Sequence, residues 1–416
     1  MRRVRVSSLQ APVHKLGDSQ MKLTPKFRFG TAALSPTLSV PVIADPNTSP
    51  EPPVELIPGL PDDVALNCLL RLPVKSHLSC RLVCRQWHNL FSSKSHFFTL
   101  RKTLKLQSPY LFMLAYHRCT GKIEWRVFDL THLSWHTIPA MPCRDHACPR
   151  GFGCVSLPEL GSLLVCGGLV SDMDCPLHLV LKYDVYKNKW TVLPPMLSAR
   201  SFFGGGVIAG RIYVAGGYST NQFELNSAEV YDPVKGMWDP VASMGIHMAA
   251  SDSAVIDGKL YVTEGCAWPF FSSPRGRVYD PKPNKWESMA IGMREGWTGL
   301  GAVYDNRLFV ISEYEMMRVK VYDMESDTWD PVDGPPLPER VKKPFSVSCL
   351  EQQGRIVVVG RGLHIAIGHV ERCFDFSKSS CNKSFSKANY AIRWEEVEAP
   401  HEFSDLTPSS CQILYA

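Results

Sequence analysis

The residue types best suited to metal chemistry lie in one short segment, CRDHACPRGFGC at residues 143–154. It holds three cysteines and one histidine, namely Cys143, Cys148, Cys154 and His146. Thiolate and imidazole groups bind zinc, but structural zinc sites usually supply them at characteristic spacings that this segment lacks. We therefore expect no metal site. The 14 cysteines of the chain show no paired spacing and favour reduced thiols in a protein of the cytoplasm, the nucleus or both.

Motifs for catalysis are missing from the sequence. It contains no G-x-S-x-G elbow, Walker A loop, H-E-x-x-H helix or dinucleotide fingerprint. The glycine run FFGGGV at residues 202–207 lies within a strand pattern, where glycine permits close packing rather than phosphate binding. We therefore expect a protein that is not an enzyme and needs no cofactor.

Charge and hydropathy argue against two classes of partner. The formal net charge is +5, of which residues 1–55 carry +3, so the remaining chain has no basic field suited to nucleic acid. No apolar run approaches the roughly 18 residues that a membrane helix needs. We expect neither a nucleic-acid nor a membrane partner.

An internal repeat organises most of the chain. An aromatic-Asp pair precedes a tryptophan in five places, always with seven positions from the aromatic residue to the tryptophan. The pairs are Phe128-Asp129 with Trp135, Tyr183-Asp184 with Trp190, Tyr231-Asp232 with Trp238, Tyr279-Asp280 with Trp286, and Tyr322-Asp323 with Trp329. This separation lets the aromatic residue lie opposite the tryptophan across a hairpin, so we interpret both as structural.

The repeat has the size of a propeller blade. The segments RIYV, KLYV, RLFV and RIVV begin at residues 211, 259, 307 and 355, a constant period of 48. With the aromatic hairpin, this predicts a four-stranded antiparallel unit of about 50 residues. Six tryptophans, the last being Trp394, predict six blades. The first unit lacks a first strand, so we expect the last segment, about 409–416, to complete it and close the ring.

Residues 56–102 have a different pattern, with apolar residues at helical spacing. Pro61 followed by two aspartates suits the start of a helix. Pro73 should end that helix, and a second helix is predicted to carry Leu78, Leu82, Val83 and Trp87. So few helices bury little by themselves. They form either a cap packed on the next domain or a docking module with an apolar face for a partner.

The N-terminal segment, residues 1–55, combines Pro, Ser and Thr with little apolar periodicity. We expect a disordered basic arm. An organelle transit peptide is the alternative, because the first 30 residues are basic and nearly free of acids.

Both patterned regions resemble known families. The helical region is similar to the F-box, through Leu60-Pro61-Asp62, Leu72-Pro73, Arg81, Val83-Cys84, Trp87 and Phe97. The repeats, with Gly167-Gly168 and Gly216-Gly217 after the second strand, resemble kelch repeats. The resemblance implies a mostly β fold. Its parts would be the arm at 1–55, an all-α F-box module at 56–102, and a six-bladed kelch β-propeller at 103–416.

This order of domains resembles plant F-box/kelch-repeat proteins. The resemblance implies the substrate-recognition subunit of a Skp-cullin-F-box ubiquitin ligase, whose F-box binds a Skp-family adaptor and whose propeller binds the protein to be ubiquitinated. A propeller scaffold or ligand-sensing protein without a ligase role is the alternative, and a kelch-type enzyme is a second one. The implied adaptor-binding residues are Leu60, Pro61, Leu69, Leu72, Pro73, Val83 and Trp87.

Substrate recognition is expected at one end of the propeller. The loops between second and third strands and the connectors between blades emerge on the same side, and they carry basic and aromatic residues suited to a peptide hot spot. The candidates are Arg144, Arg200, His247, Trp268, Phe270, Arg294, Trp297, Arg340 and Lys342. An acidic or phosphorylated peptide would suit such a surface. A structural role is the alternative at each position, and Arg200 matches one that kelch repeats commonly use to bond blades.

Overall fold

Short antiparallel strands form six sheets from residue 109 onward, as the repeat predicts. The computed structural model describes residues 55–142, 147–170, 175–249, 252–264, 273–313, 315–373 and 389–416. Each sheet follows a meander of four strands, and the second sheet has one additional short strand. The six-bladed propeller is therefore confirmed. The expected arm at 1–55 lies outside the described residues except for Glu55.

The strands of the first three blades are as follows. Blade 1 contains β1 (Pro109–His117), β2 (Ile123–Asp129) and β3 (Ser134–Thr137). Blade 2 contains β4 (Ala147–Leu157), β5 (Ser162–Val170), the short β6 (Cys175–Pro176), β7 (Val180–Asp184) and β8 (Lys189–Leu193). Blade 3 contains β9 (Gly204–Ile208), β10 (Arg211–Ala215), β11 (Ala228–Asp232) and β12 (Met237–Val241).

The remaining blades repeat this order. Blade 4 contains β13 (Asp252–Ile256), β14 (Lys259–Thr263), β15 (Gly276–Asp280) and β16 (Lys285–Ser288). Blade 5 contains β17 (Gly301–Tyr304), β18 (Arg307–Ile311), β19 (Val319–Asp323) and β20 (Thr328–Pro331). Blade 6 contains β21 (Ser346–Leu350), β22 (Arg355–Val359), β23 (Ile365–Cys373) and β24 (Asn389–Val397). The last strand, β25 (Leu406–Tyr415), belongs to blade 1.

The tryptophans pack in the predicted register. Tyr231 lies directly opposite Trp238, with ring centroids 5.2 Å apart. The other four pairs have the same register. The indole of Trp238 also donates a hydrogen bond to the carbonyl of Pro194 in the preceding connector, at 3.1 Å. Trp190, Trp286, Trp329 and Trp394 donate to the preceding connector in the same way. These five tryptophans therefore join each of blades 2 to 6 to the blade before it.

Blade 6 departs from the common register. Trp394 lies opposite Gly368, because β23 and β24 continue pairing to Cys373 and Asn389. A Cβ on Gly368 would come within 2.7 Å of the indole of Trp394, so glycine makes room for the ring. The sequence places a sixth aromatic-Asp pair, Phe374-Asp375, at a longer interval before Trp394, and this pair lies outside the described residues.

The ring closes through the C-terminal strand. β25 pairs with β1 from Pro109↔Tyr415 to His117↔Leu406 and supplies the innermost strand of blade 1. The predicted closure is therefore confirmed, and the strand begins at Leu406, a few residues earlier than expected. Because both ends of the domain share one sheet, neither chain end leaves an open inner edge in blade 1.

The double glycines are required by the backbone. Gly216 has φ +68°, and a Cβ there would lie 2.4 Å from the carbonyl oxygen of Met248. Gly167 occupies the equivalent position in blade 2, with φ +63° and 2.3 Å to the carbonyl oxygen of Arg200. Glycine therefore permits the second strand to turn sharply against the next connector.

Five short α-helices are described, four of which precede the propeller. They are α1 (Asp62–Leu70), α2 (Val74–Cys80), α3 (Arg85–Ser92), α4 (Thr99–Thr103) after a turn of π-helix at Lys94–Phe98, and α5 (Ile291–Gly296) between blades 4 and 5. The predicted start after Pro61 is confirmed. The prediction that one second helix carries both Leu78 and Trp87 is wrong, because the chain turns at 81–84. A new helix, α3, begins there, and the thiol of Cys84 accepts a hydrogen bond from the amide of Trp87 in its first turn.

Candidate adaptor and substrate surfaces

Strand direction gives the propeller two different ends. The hairpin end carries the turns between first and second and between third and fourth strands. The connector end carries the loops between second and third strands and the links between blades. The four N-terminal helices, which we call the helical module, pack on the hairpin end: Phe98 stacks on Tyr186 in the β7–β8 turn, with centroids 3.7 Å apart. Lys102 pairs with Glu159 in the β4–β5 turn.

Two arginines fix the helical module to the propeller. Arg81 donates to the carbonyl of Phe91, at 2.8 Å, and to the carbonyl of Tyr186. Arg101 is 2 % exposed and donates to the carbonyls of Leu70 and Leu72 in the module and, at 3.4 Å, of Ala416. The helices and the propeller form one compact unit, residues 55–416. The module and the blades therefore share a buried, hydrogen-bonded interface.

The predicted adaptor residues fall into two groups. Leu60, Pro61 and Val83 are exposed. Leu69 is only 2 % exposed and belongs to the core that joins the module to blades 1 and 2. Leu72, Pro73 and Trp87 are partly buried, and the Trp87 indole donates to the carbonyl of Leu56 at 2.8 Å. Leu69 therefore stabilises the module from inside, where a partner has no access.

The predicted adaptor residues omit three exposed apolar residues of the helical module, one of which is Leu78 on α2, at 42 % exposure. Val64 on α1 is 42 % exposed, and Leu82 in the turn after α2 is 87 % exposed. Helical periodicity placed Leu82 on the second helix, whereas that helix ends at Cys80. We call Leu60, Pro61, Val64, Leu82 and Val83 the adaptor surface, since these apolar side chains are left in solvent by the module's own core.

Arg200 is enclosed by blade 3 at the connector end. Its side chain is 0 % exposed and donates to the carbonyl of Gly216 at 2.7 Å and to the carboxylate of Glu229 at 2.5 Å. Glu229, itself buried, also accepts from the amides of Leu197 and Ser198. All of these contacts hold the connector against its blade. The structural alternative therefore applies to Arg200, which has no access to a substrate.

Trp297 is likewise part of the core. It is 2 % exposed and packs between blades 4 and 5. Its indole donates to the carboxyl of Asp252 at 3.1 Å, and burial raises the pKa of Asp252 to about 6. The sequence does not distinguish Trp297 from a tryptophan exposed on a loop, but in the structure its ring is buried between blades 4 and 5.

The remaining basic candidates reach the surface to different extents, and one of them is paired. Arg340 contacts Glu398 at 2.7 Å and Glu396 at 3.8 Å. Lys342 is exposed and has no ion pair within the described chain. Arg294 is partly buried, and its Nε has no hydrogen-bond partner in the described ranges. His247 is exposed. The charge available to a ligand is therefore smaller than the sequence predicts.

Other candidates are not placed. Arg144, Trp268 and Phe270 lie outside the described residues. Within the described part of the chain, no group of three or more His, Cys, Asp or Glu side chains is arranged to hold a metal ion. No helix in those same ranges is long and apolar enough to cross a membrane.

Two exposed residues at the connector end had no sequence signal. Phe223, in the β10–β11 loop, is 73 % exposed, and Met316, in the β18–β19 loop, is 79 % exposed. Both follow the second strand of their blade, where the repeat allows any sequence. Large exposed apolar side chains on binding loops often supply contact area to a partner. We call Phe223, Met316, Arg294 and Lys342 the connector surface.

Comparisons with known proteins agree with both parts of the fold. An F-box domain family model matches residues 57–99, and the family model FKB95, Kelch-repeats domain, matches residues 162–372. The chain is 53% identical to the F-box/kelch-repeat protein At1g30090 of Arabidopsis thaliana over 416 residues, all of both chains. It is 35% identical to the F-box protein AFR of the same plant over 364 residues, which is 86% of this chain and 92% of AFR.

Proposed function

Because the chain belongs to the F-box/kelch-repeat protein family, we propose that it is the substrate-recognition subunit of a Skp-cullin-F-box ubiquitin ligase. The helical module binds a Skp-type adaptor, and the propeller binds the protein to be ubiquitinated. The chain itself performs no chemistry in this role. It raises the effective concentration of the substrate near the ligase.

The observation that carries this proposal is the exposed apolar set on the F-box. Leu82 is 87 % exposed and Val83 62 % exposed, although the module has a buried core that packs on the propeller. Leaving such side chains in water gains the free chain nothing, whereas burial in a partner removes their apolar area from water. The family assignment points to a Skp-type adaptor as the partner whose groove would bury them.

The position of the module supports adaptor binding at one end of the propeller and substrate binding at the other. It occupies the hairpin end, so the connector end is left open to a second protein. Arg81 and Arg101 fix the module against blades 1 and 2, which would hold a bound substrate in a defined place relative to the adaptor. Such positioning favours transfer to particular lysines of the substrate.

Adaptor binding can be tested with a Leu82→Asp/Val83→Asp double variant. Both positions are exposed, so the variant should fold and melt like the parent. Each introduced carboxylate would be desolvated in the interface, and we expect the affinity for a plant Skp-family adaptor to fall at least 30-fold. Isothermal titration calorimetry or surface plasmon resonance with the purified full chain measures this.

A matched control is Val192→Asp/Met237→Asp, which changes two exposed apolar residues on the outer strands β8 and β12. It should bind the adaptor as the parent does. If the Leu82/Val83 variant is folded and binds with parental affinity, the F-box of this chain does not dock through the adaptor surface and the proposal is wrong.

A further inference from the structure

A cavity of about 440 Å³ opens at the connector end of the propeller, against blade 6. Three segments line it: the link between blades 5 and 6, the β22–β23 loop, and the link from blade 6 to β25. The helical module packs on the opposite end of the propeller and leaves this cavity open to a second protein.

Arg361, in the β22–β23 loop, gives the cavity a cation without a partner. Its amide donates to the carbonyl of Lys342 at 2.9 Å, which fixes the loop against the preceding link. The side chain is half-buried, and its Nε is enclosed by the protein without a hydrogen-bond partner in the described ranges. Within the same ranges no carboxylate pairs with its guanidinium, which lines the cavity. Enclosure of Nε restrains the side chain, and its charge is free to meet an anion.

His364 gives the cavity a neutral donor that the protein holds in place. Its Nδ1 accepts a hydrogen bond from the amide of Ala399 at 3.3 Å, so Nε2 carries the proton. Burial and the charge of Arg340 lower the pKa of His364, which keeps the ring neutral. The ring is only half-buried, and Nε2 has no partner in the part of the chain that the structure describes. Unlike Nε of Arg361, it is not enclosed by the protein.

Gly362 keeps the space beside these donors open. Its φ is +72°, and a Cβ there would lie 3.3 Å from Nε2 of His364 and 3.8 Å from Cα of Ser404. His364 and Ser404 therefore face the same side of this glycine, and Arg361 precedes it in the chain. Ser404 is exposed and lines the cavity with its hydroxyl group. A ligand placed over Gly362 lies close to all three side chains.

The other charged groups of the cavity leave this arrangement available to an anion. Arg340 is held by two carboxylates, the closer being Glu398 at 2.7 Å, so it adds no free charge. Lys342 and Glu339 are both exposed, and their charges offset each other. Arg361 is therefore the cation of this wall whose charge no described residue neutralises. An unpaired guanidinium favours a bidentate contact with an oxyanion.

We propose that this cavity binds the phosphate group of a phosphorylated side chain on the protein to be ubiquitinated, an inference that rests on the proposed function. The guanidinium of Arg361 donates to two phosphate oxygens, and Nε2 of His364 and the hydroxyl of Ser404 donate to the third. The three terminal oxygens of a phosphate monoester match these donors better than the two oxygens of a carboxylate do. Recognition then requires that a kinase has first modified the substrate.

Three peptide pools test the proposal with the full chain in the absence of an adaptor. Each is a fluorescein-labelled heptapeptide with random uncharged flanking positions and a central phosphoserine, glutamate or serine. We expect the phosphoserine pool to bind about tenfold more tightly than the serine pool, as measured by fluorescence anisotropy, with the glutamate pool between them. Inorganic phosphate should compete with the phosphoserine pool. Because no adaptor is present, a failure of this binding and a failure of adaptor binding are measured separately.

Three variants locate the phosphate. Arg361→Met removes the cation and should bring the phosphoserine pool to the affinity of the serine pool. Ser404→Asp places a carboxylate at the cavity, and we expect it to weaken the phosphoserine pool about tenfold. It lies at an exposed position, so it should fold like the parent. His364→Phe keeps a ring without the N–H donor and should weaken the same pool about threefold.

The matched control is Arg355→Met, at a half-buried arginine where β22 begins at the hairpin end of the same blade. It should leave the binding of all three pools unchanged, and thermal unfolding shows whether each variant is folded. The proposal is wrong if the parent binds the phosphoserine and serine pools equally or the glutamate pool as tightly as the phosphoserine pool. It is also wrong if Ser404→Asp keeps the full preference for phosphoserine.

Discussion

The two ends of the propeller satisfy their polar groups in different ways. At the hairpin end the repeat does so locally: the carboxylate of Asp232 accepts the amides of Val234 and Lys235, at 2.9 and 3.2 Å. The carboxylate of Asp184 likewise accepts the amides of Tyr186 and Lys187. At the connector end the partners come from distant segments, as when Arg275 bonds to the carboxylates of Glu264 and Glu224.

This difference explains where variation is possible. A hairpin whose aspartate satisfies its own turn needs little from its neighbours, so the same turn recurs in successive blades and gives a uniform platform. Connector loops depend on particular ion pairs and differ from blade to blade. A recognition surface therefore fits the connector end better, while the uniform end holds the helical module.

The largest effect should come from removing the strand that both ends share. Deleting residues 408–416 removes most of β25, opens an inner edge on β1 and takes away the Ala416 carbonyl that Arg101 contacts. We expect the truncated chain to lose its cooperative thermal unfolding, measured by circular dichroism or calorimetry. An unchanged melting curve would show that the ring does not need closure.

A smaller but still large effect is expected inside the connector end. Arg200→Met leaves the buried Glu229 without its cation, and we expect the free energy of unfolding to fall by about 3–5 kcal/mol. Arg294→Met, at a partly buried arginine of the same end, should cost about 0.5 kcal/mol or less. Denaturant titration measures both.

The pair can be checked by a second substitution. Adding Glu229→Met to Arg200→Met should recover part of the lost stability, because no buried charge is then left unpaired. Equal losses for Arg200→Met and Arg294→Met would mean that the two arginines do not differ in role.

The smallest effect on stability should come from the connector surface. Phe223→Asp/Met316→Asp changes two exposed side chains, so we expect the free energy of unfolding to change by about 0.5 kcal/mol or less. Protein partners recovered from plant extract should decrease when these changes are added to the full chain that carries Leu82→Asp/Val83→Asp, as quantified by mass spectrometry, because these side chains supply apolar contact area.

The matched control lies at the other end. Val234→Asp/Met324→Asp changes exposed apolar residues in hairpin turns, at 96 % and 46 % exposure, and should leave the recovered partners unchanged. If the hairpin-end variant loses partners and the connector-end variant keeps them, the substrate surface has been assigned to the wrong end.

The sequence by itself determined the repeat. A seven-residue step from aromatic to tryptophan fixed the hairpin register at Tyr231 and Trp238, because cross-strand pairing depends on residues close in the chain. It also predicted the closure by β25, because the first unit lacks its first strand and the last segment supplies one additional strand. The helical start at Asp62 followed from Pro61 for the same local reason.

The tertiary structure decided which residues are available to partners. Arg200 and Arg294 look alike in sequence, but Glu229, 29 residues after Arg200, encloses the first of them. Trp297 is buried by blades that meet only after folding. His77 and Phe403 lie near opposite ends of the described chain, yet they line one cavity in the folded protein. Burial and ion pairing depend on segments far apart in sequence, so no local pattern encodes them.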